Sequence, residues 1–490
     1  MDPRTVVLVG AGQFVQKPAD PLQALEPAKM MAEAVRRAAE DAGAPALLSQ
    51  VDSIRVVKGA WPYVNPGAIV AGLVGASPRQ SLLSPDGGNT PQSLVNASAL
   101  DILAGRLDVV VLVGAEGIYT RRRAKRAGGV IPYTDDKGST PAEPIGADVT
   151  MSSPLEMRSG FAMPINVYPM FEVAIRHARG ESPQQHIERV SKLWEGFNRV
   201  AVQNPYAWIR TPMTAEEIRT PSDRNRMVGY PYTKSMNSNW DLDQAAALIL
   251  CSAEKATALG ISRDRWVFPW AGTDAHDTYL ISNRDNYHSS PAIRVAAREA
   301  LALADRAVGD IAHVDLYSCF PSAVQIAAAE IGLSEDRQLT VTGGLPFAGG
   351  PLNNYVMHSI ATMAGVLREH PGELGLCSAN GGYVTKHAMG LYSTEPPANG
   401  SFRHADVQAE VDGFPTREVT GDHRGAATVE AYTVMHDNQG PTEALITALT
   451  ADGVRTYAKS ADASVMATLM DVDAVGRDIE IDADGVAHLR

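Results

Sequence analysis

The hydrophobic and polar positions of the chain follow two spacings in turn, which predict strands and helices. Apolar runs bounded by turn residues, typical of buried strands, occupy residues 5–10, 53–57, 107–113, 243–250, 266–272, 312–317 and 373–377. Apolar residues at helical spacing occupy residues 24–42, 94–103, 184–203, 292–307, 320–332 and 355–368. This alternation predicts an α/β fold with helices packed on sheets.

One unit of this pattern occurs twice. A glycine turn, a helix, a strand and a turn of small residues run from Gly88 to Glu116 and again from Gly350 to Asn380. We therefore expect two related halves, residues 1–265 and 266–395. The first half includes a long irregular region, residues 118–234, with many prolines and one clear amphipathic helix.

The last part of the chain has a different composition. Residues 396–424 are rich in Pro, Gly, Asp and His, which is typical of a linker or an edge segment. Residues 425–490 contain about five short strands and one short helix, so we predict a small β-rich domain of the oligonucleotide-binding barrel type. Its acidic tail argues against a role in binding nucleic acid.

Charge and cysteine content limit the partners and the compartment. The 490 residues carry a formal net charge of −13, which argues against nucleic acid or an anionic membrane as the main partner. No apolar run approaches the roughly 18 residues of a membrane span, and the N-terminus does not resemble a signal peptide. Three cysteines without metal-ligand spacing suit a reducing compartment. We expect a cytoplasmic protein without a metal.

The turn at Gly87 and Gly88, the helix after it and the Gly114–Gly117 turn resemble the nucleophile segment of the thiolase superfamily. The resemblance covers about residues 5–395 and is closest to sterol-carrier-type thiolases and to thiolase-like proteins of type 1, which carry an added C-terminal domain. It implies a duplicated, five-layered αβαβα core. It also implies acyl-CoA chemistry, typically acyl transfer as in acetyl-CoA acetyltransferases of lipid metabolism.

The family's nucleophilic cysteine falls on Gly88. In the family that thiol lies at a helix N-terminus, where backbone N–H groups and the helix dipole stabilise a thiolate. A glycine at this position preserves the turn but cannot form the covalent acyl intermediate. Taken alone, Gly88 also fits a second interpretation, a turn residue with positive φ before a helix.

The family's Gly-His-Pro histidine falls on Gly350, within Gly349-Gly350-Pro351. In the family this histidine activates the cysteine and lines the oxyanion hole. With both residues replaced by glycine, we expect little or no ordinary thiolase activity.

The other family loops supply the candidate catalytic residues. Tyr317 takes the place of an Asn or His in the second loop, with Cys319 two residues later; in the fourth loop Asn380 and Cys377 are candidates, and alignment on the asparagine puts Ala379 at the family's acid/base cysteine with Cys377 two residues early, a register that stays open. His358, together with Asn353 and Asn354, follows the Gly350 turn and is placed to project toward the same space. For each of these residues a purely structural role is the alternative.

The resemblance also implies a coenzyme A thioester as substrate or ligand, with no covalently bound cofactor. The residues expected to meet its phosphates, by their positive charge, are Arg210, Arg219, Arg224, Arg226 and Lys234. A second basic run, residues 121–126, is an alternative. A homodimer is typical of the family, whereas the added domain is compatible with a monomer.

Three functions remain open at this point. The first is an acyl-CoA-directed member of the acyltransferase superfamily that has lost ordinary thiolase activity. The second is a carbon–carbon lyase that cleaves CoA esters by a retro-aldol step with Tyr317. The third is a non-catalytic binder or carrier of acyl-CoA.

Overall fold

The computed structural model describes residues 1–398 and 400–490. Its first half contains β1 (Val6–Val15), α1 (Pro27–Asp41), β2 (Ser53–Val56), α2 (Pro66–Val74), β3 (Gln80–Leu83), α3 (Thr90–Leu103) and β4 (Val109–Gly117). The following region contains α4 (Ile118–Arg126), β5 (Glu143–Pro144), α5 (Pro154–Arg158), α6 (Pro164–Ala178), α7 (Pro183–Gln203), α8 (Ala215–Arg219), β6 (Met227–Gly229) and β7 (Tyr232–Thr233).

The second half contains β8 (Asp243–Ser252), α9 (Ala253–Ala258), β9 (Phe268–His276), α10 (Pro291–Ala304), β10 (Ile311–Asp315), α11 (Pro321–Ile331), α12 (Gly344–Phe347), α13 (Tyr355–Glu369), β11 (Leu374–Gly381), β12 (Lys386–Ser393), β13 (Arg403–Asp406) and α14 (Gln408–Val411). The C-terminal part contains β14 (Gly425–His436), β15 (Pro441–Leu449), β16 (Arg455–Ser460), α15 (Ala463–Asp471), β17 (Asp478–Ile481) and β18 (Ala487–Leu489).

Two sheets enclose a central pair of helices. The first sheet has the strand order β1-β8-β4-β2-β3-β5 and the second has β10-β11-β12-β9-β13. Helices α3 and α13, the helices of the two repeated units, contact each other and strands of both sheets, while α1 and α2 pack on the first sheet and α10 packs on the second. The predicted α/β class and layered, duplicated core are confirmed.

Small residues let the central helices approach the sheets. At Gly114 in β4, a Cβ would lie 2.5 Å from the side-chain carbon of Asn354. Asn354 Nδ2 instead donates to the Gly114 carbonyl at 2.8 Å. Glycine is required here for close approach, because any side chain would displace the Asn354 amide.

The region 118–234 contains a helix that the sequence pattern did not predict. Helix α6 lies between the core and β14, and ten of its fifteen residues are buried. Because apolar residues surround this helix rather than forming one stripe, and because Pro169 lies inside it, its periodicity is weak. The amphipathic helix predicted at residues 184–203 is α7, and α6 is a further helix beside it.

The C-terminal residues form a third sheet with the order β16-β15-β14-β17-β18, and β6 pairs with β14. A single parallel bridge between Lys459 and Val486 links β16 to the start of β18. The predicted small β-rich unit is therefore present, whereas its classification as an oligonucleotide-binding barrel stays a prediction. Strand β13, from the segment 396–424, pairs with β9 at the edge of the second sheet.

Buried arginines dock the third sheet on the core. The Arg455 side chain is fully buried and pairs with Glu430. It donates to the backbone carbonyl of Ser282 at 2.7 Å, and its guanidinium carbon lies 4.3 Å from the centre of the Tyr287 ring. From α6, Arg176 donates to the Tyr432 hydroxyl at 2.8 Å. The added unit is thus attached through desolvated charges.

Among the residues that the structure describes, no helix is both long enough and apolar enough to cross a bilayer.

Candidate active site

Gly88 lies at the N-terminal end of α3, where the helix meets the end of β11. A Cβ at residue 88 would lie 2.5 Å from the Asn380 carbonyl oxygen and 2.9 Å from Tyr317 Cε2, with the Tyr317 hydroxyl closer still. The φ angle of Gly88 is outside the left-handed region, whereas its neighbour Gly87 has φ 153°. The interpretation of Gly88 as a positive-φ turn residue is wrong, since close packing is what requires glycine.

Tyr317 follows β10 and is half-buried. Its backbone N–H donates to Ser378 Oγ at 2.9 Å, and its ring packs edge-on against Tyr355 with centroids 5.6 Å apart. Burial, with a smaller contribution from Cys319, raises the pKa of Tyr317 well above its usual value. The phenol is therefore protonated at neutral pH and is suited to donate a hydrogen bond rather than to remove a proton.

Cys319 and Asn380 lie beside Tyr317. Asn380 Nδ2 is 4.0 Å from Cys319 Sγ and donates to the Tyr168 hydroxyl at 3.1 Å. The Tyr168 hydroxyl donates to the Gly382 carbonyl at 2.9 Å. Burial raises the pKa of the Cys319 thiol to about 12, so at neutral pH the thiol is protonated and a weak nucleophile.

A small cavity lies beside Tyr317, and a larger, open one of about 540 Å³ borders the start of α3 at Asn89, Thr90 and Lys386. Tyr317, Ser378, Asn380 and His387 line a space of about 10 Å³, which is room for about one water molecule. The Tyr317 side chain itself packs against Gly88.

The Gly350 turn reaches the Gly88 turn through Asn353. Gly87 N–H donates to Asn353 Oδ1 at 3.0 Å, and Asn353 Nδ2 donates to the Lys58 carbonyl at 2.9 Å. Gly350 itself packs elsewhere, since a Cβ there would meet Ser238 Oγ and would lie 3.1 Å from Leu345 Cδ2. The two turns lie at the same end of the central helices, with an asparagine between them.

Two of the candidate catalytic residues lie elsewhere. Cys377 is fully buried within β11, between Asp315 of β10 and Gly390 of β12, and burial raises its pKa. His358 is buried in α13, with Nδ1 2.8 Å from Gln13 Oε1 in β1. Burial lowers the pKa of His358 to about 3, so this imidazole is neutral.

The predicted CoA-binding cations lie between the end of α7 and the residue after β7. Arg210 donates to the Val202 carbonyl, Arg219 to Ser191 Oγ and Arg226 to the Met227 and His436 carbonyls. Arg224 and Lys234 are exposed. Within the described part of the chain, these two side chains have no hydrogen bond or ion pair. Their charged groups are therefore free to bind an anion.

The alternative basic run lies on α4 and is partly neutralised. Arg121 donates to the Ala60 carbonyl, Arg122 pairs with Asp241 at 3.2 Å and Arg123 donates to the Pro18 carbonyl. Lys125 and Arg126 of this run are exposed, so α4 stays an alternative site for an anion.

Sequence patterns did not find the lysines that hold the Gly88 turn. Lys386 Nζ donates to the Asp86 carbonyl, and Lys58 Nζ pairs with the Asp86 carboxylate at 2.8 Å. Lys386 starts β12, a strand that the apolar runs did not reveal, so no local pattern pointed to it.

Glu116, at the end of β4, is a second buried ionisable group near the turns. Its Oε1 accepts a hydrogen bond from Ala60 N–H at 2.7 Å. Burial is the largest influence and raises the pKa of this carboxyl to about 7.

Comparison with known proteins decides the family. The family model described as the thiolase-like protein type 1 additional C-terminal domain matches residues 406–486. The structure of a monomeric SCP2-thiolase like protein type 1 from Mycobacterium smegmatis superposes with a TM-score of 0.86 and 31% identity, covering 100% of both chains. The chain belongs to the thiolase-like protein type 1 family.

More distant similarities agree with this family assignment. Two archaeal acetyl-CoA acetyltransferases match, one from Methanothermobacter thermautotrophicus (26% identity, 53% of this chain, 67% of that protein) and one from Methanocaldococcus jannaschii (29% identity, 27% of this chain, 32% of that protein). The chain thus spans about a third of the length of the second protein. The Ltp2-ChsH2(DUF35) aldolase shares the fold, with a TM-score of 0.61 at 18% identity over 81% of this chain and 99% of that one.

Proposed function

We propose that this thiolase-like protein of type 1 binds acyl-CoA thioesters and does not carry out cysteine-dependent acyl transfer. The observation that carries the proposal is the packing of Tyr317 and the Asn380 carbonyl against Gly88. The position of the family's nucleophile lacks a thiol and also lacks the space for one.

The remaining thiols do not replace the lost nucleophile. Cys319 has its pKa raised to about 12, and Cys377 is buried inside a strand. Losing a catalytic nucleophile typically costs several powers of ten in rate, even where the rest of a site survives. We therefore expect thiolysis of acetoacetyl-CoA to be close to background.

Three features support a CoA ligand. The curated relatives are named acetyl-CoA acetyltransferases, and Arg224 and Lys234 offer exposed charge on a protein of net charge −13. Arginine and lysine are the side chains that bind phosphate groups. The N-terminus of the fourteen-residue helix α3 still directs its positive dipole end at the Gly88 turn.

Calorimetric titration with acetyl-CoA tests this proposal. We expect 1:1 binding that weakens severalfold in R224A and K234A, because each loses a phosphate contact. R490A removes an exposed arginine that pairs with Glu480 in the C-terminal unit and should leave the affinity unchanged. Absence of any affinity for acetyl-CoA or CoA would exclude the proposal.

A retro-aldol lyase is the second candidate, and the position of Tyr317 favours it. In a retro-aldol step a base takes the β-hydroxyl proton of a β-hydroxyacyl-CoA, and the O–H electron pair forms the carbonyl of the released fragment. The Cα–Cβ electron pair enters the thioester enolate, which is then protonated at Cα. A protonated Tyr317 beside the α3 N-terminus is suited to donate a hydrogen bond to that enolate oxygen. If the wild type cleaves a β-hydroxyacyl-CoA, Y317F should lower kcat at least about tenfold; an unchanged kcat would exclude this role.

We also propose that the protein is a monomer. The M. smegmatis structure is described as monomeric, and here β5, which contains Pro144, pairs with the outer edge of β3. A covered edge with a proline is a poor site for strand addition. Light scattering coupled to size exclusion should give the mass of one chain, and twice that mass would contradict the proposal.

A further inference from the structure

We propose that His313, His370 and Glu373 form a surface site for one divalent transition-metal ion of the zinc class. Each residue offers one ligand atom, and the three atoms lie within 4.8 Å of one another. Within residues 1–398 and 400–490, no other group of His, Cys, Asp or Glu side chains meets this spacing. The site is separate from the Gly88 and Gly350 turns.

The fold brings the three ligands together from two places. His313 lies on the edge strand β10, in register with Gly375 of β11. His370 and Glu373 lie in the turn that joins α13 to β11. His313 is half-buried, and the other two side chains are exposed.

The turn that carries two of the ligands is held by backbone contacts. Glu373 N–H donates to the His370 carbonyl at 3.3 Å, and Gly372 N–H donates to Thr394 Oγ1 at 2.8 Å. Gly372 has φ 87°, which glycine adopts without strain. The backbone of the site is therefore preorganised, and only side-chain rotation is needed to bind an ion.

The spacing fits tetrahedral coordination after small adjustments. His313 Nε2 lies 2.6 Å from Glu373 Oε2, and the two imidazole centroids are 5.1 Å apart. Ligand atoms about 2.0–2.1 Å from a tetrahedral zinc ion are roughly 3.3 Å from each other. Exposed side chains reach that spacing by rotation, and solvent supplies the fourth ligand.

The donor set selects the class of metal. Two imidazoles and one carboxylate favour Zn²⁺, Co²⁺, Ni²⁺ or Cu²⁺ over Mg²⁺ and Ca²⁺, which prefer oxygen ligands. All three cysteines are buried, so they do not compete for an added ion. Cysteine spacing predicts no metal, whereas this site joins residues that are distant in the chain.

Titration of the full chain with metal tests the proposal. After dialysis against a chelator, we expect calorimetry with ZnCl₂ to give one ion per chain and CoCl₂ to give the visible absorption of tetrahedral cobalt. Zinc should also raise Tm, because an ion that binds only the folded chain stabilises it. H313A, H370A and E373Q should each weaken zinc binding by about tenfold or more, as changes around metal sites do.

H488A is the matched control, since His488 is an exposed histidine that pairs with a single carboxylate, Asp482, at 2.9 Å. It should bind zinc with the affinity of the wild type. Without metal, all four variants should have the Tm of the wild type. The proposal is overturned if the wild type binds no stoichiometric zinc. It is also overturned if the three ligand variants bind zinc as the wild type does, or if H488A lowers the affinity as much as they do.

Discussion

The Tyr317 side chain packs against the Cα of Gly88, so that a Cβ at residue 88 would lie within 2.9 Å of Tyr317 Cε2. The two residues belong to different halves of the duplicated core. Their contact makes glycine at residue 88 and tyrosine at residue 317 depend on each other. A thiol at residue 88 and this tyrosine rotamer exclude each other.

G88A is expected to lower the free energy of unfolding by about 1–3 kcal/mol through overpacking. In a Y317A background the cost should fall but persist, because the Asn380 carbonyl still lies 2.5 Å from the new Cβ. We expect a coupling energy of at least about 0.5 kcal/mol between the two positions in a urea-unfolding double-mutant cycle.

G72A is the control for this cycle. Gly72 lies inside α2, and a Cβ there would meet no atom within 4 Å. Replacement by alanine should therefore stabilise the protein by about 0.5–1 kcal/mol. Zero coupling between residues 88 and 317 would contradict the packing described above.

N353A should destabilise the protein by about 1–3 kcal/mol. Asn353 accepts from Gly87 N–H and donates to the Lys58 carbonyl, and its removal leaves partly buried backbone groups without a partner. The midpoint of urea unfolding measures this effect. N438A, at an exposed asparagine in a turn of the C-terminal unit, should stay within about 0.5 kcal/mol of wild type. Equal effects of the two variants would show that Asn353 does not tie the turns together.

R455A is expected to cost about 3–5 kcal/mol, because it leaves Glu430 without its buried cation. Thermal unfolding by calorimetry should show a lower Tm, and limited proteolysis should release the unit that starts near residue 425. R490A breaks an exposed ion pair with Glu480 and should cost less than about 1 kcal/mol. A loss of unfolding free energy in R455A as small as that in R490A would contradict the role of the buried arginine in attaching the C-terminal unit.

E116Q should change the dependence of stability on pH. The pKa of Glu116 rises from 4.5 to about 7 on folding, so between these pH values the folded state holds a proton that the unfolded state has released. Stability therefore falls as pH rises through this window, at up to about 1.4 kcal/mol per pH unit. E116Q removes this loss.

We expect E116Q to match wild type near pH 4.5 and to exceed it by about 1–3 kcal/mol at pH 8. Urea midpoints measured across this range test the difference. E143Q, at an exposed glutamate of β5, should follow wild type within about 0.5 kcal/mol at every pH. Parallel curves for E116Q and wild type would show that Glu116 is not protonated in the folded state at pH 6.

Helices α3 and α13 are predictable from the sequence because each begins after a glycine turn and ends before an apolar strand. Helix α6 is not predictable in this way, because it is buried on several sides and shows no single apolar stripe. The short strand β5 pairs with β3 through contacts that are distant in the chain, which local patterns do not contain.

The candidate site likewise contains residues that the sequence predicts and contacts that it does not. Gly88, Gly350, Tyr317 and Asn380 follow from the spacing of family motifs. Two hydrogen bonds around these residues are not predictable from the sequence: Asn380 Nδ2 to the Tyr168 hydroxyl, and Lys386 Nζ to the Asp86 carbonyl. Tertiary packing alone brings those residues together. His358 shows that closeness in sequence does not place a residue in the site. It lies about one helical turn after the Gly350 loop, but its side chain contacts Gln13 of β1.

Intact-mass spectrometry tests whether the protein binds acetyl-CoA without becoming acetylated. The full chain is first incubated with acetyl-CoA at a concentration that calorimetry shows to be saturating. The proposed function predicts an unmodified mass together with stoichiometric, non-covalent binding of acetyl-CoA. An acetyl group found on Cys319 or Cys377 after digestion, formed within the turnover time of a thiolysis assay, would contradict it.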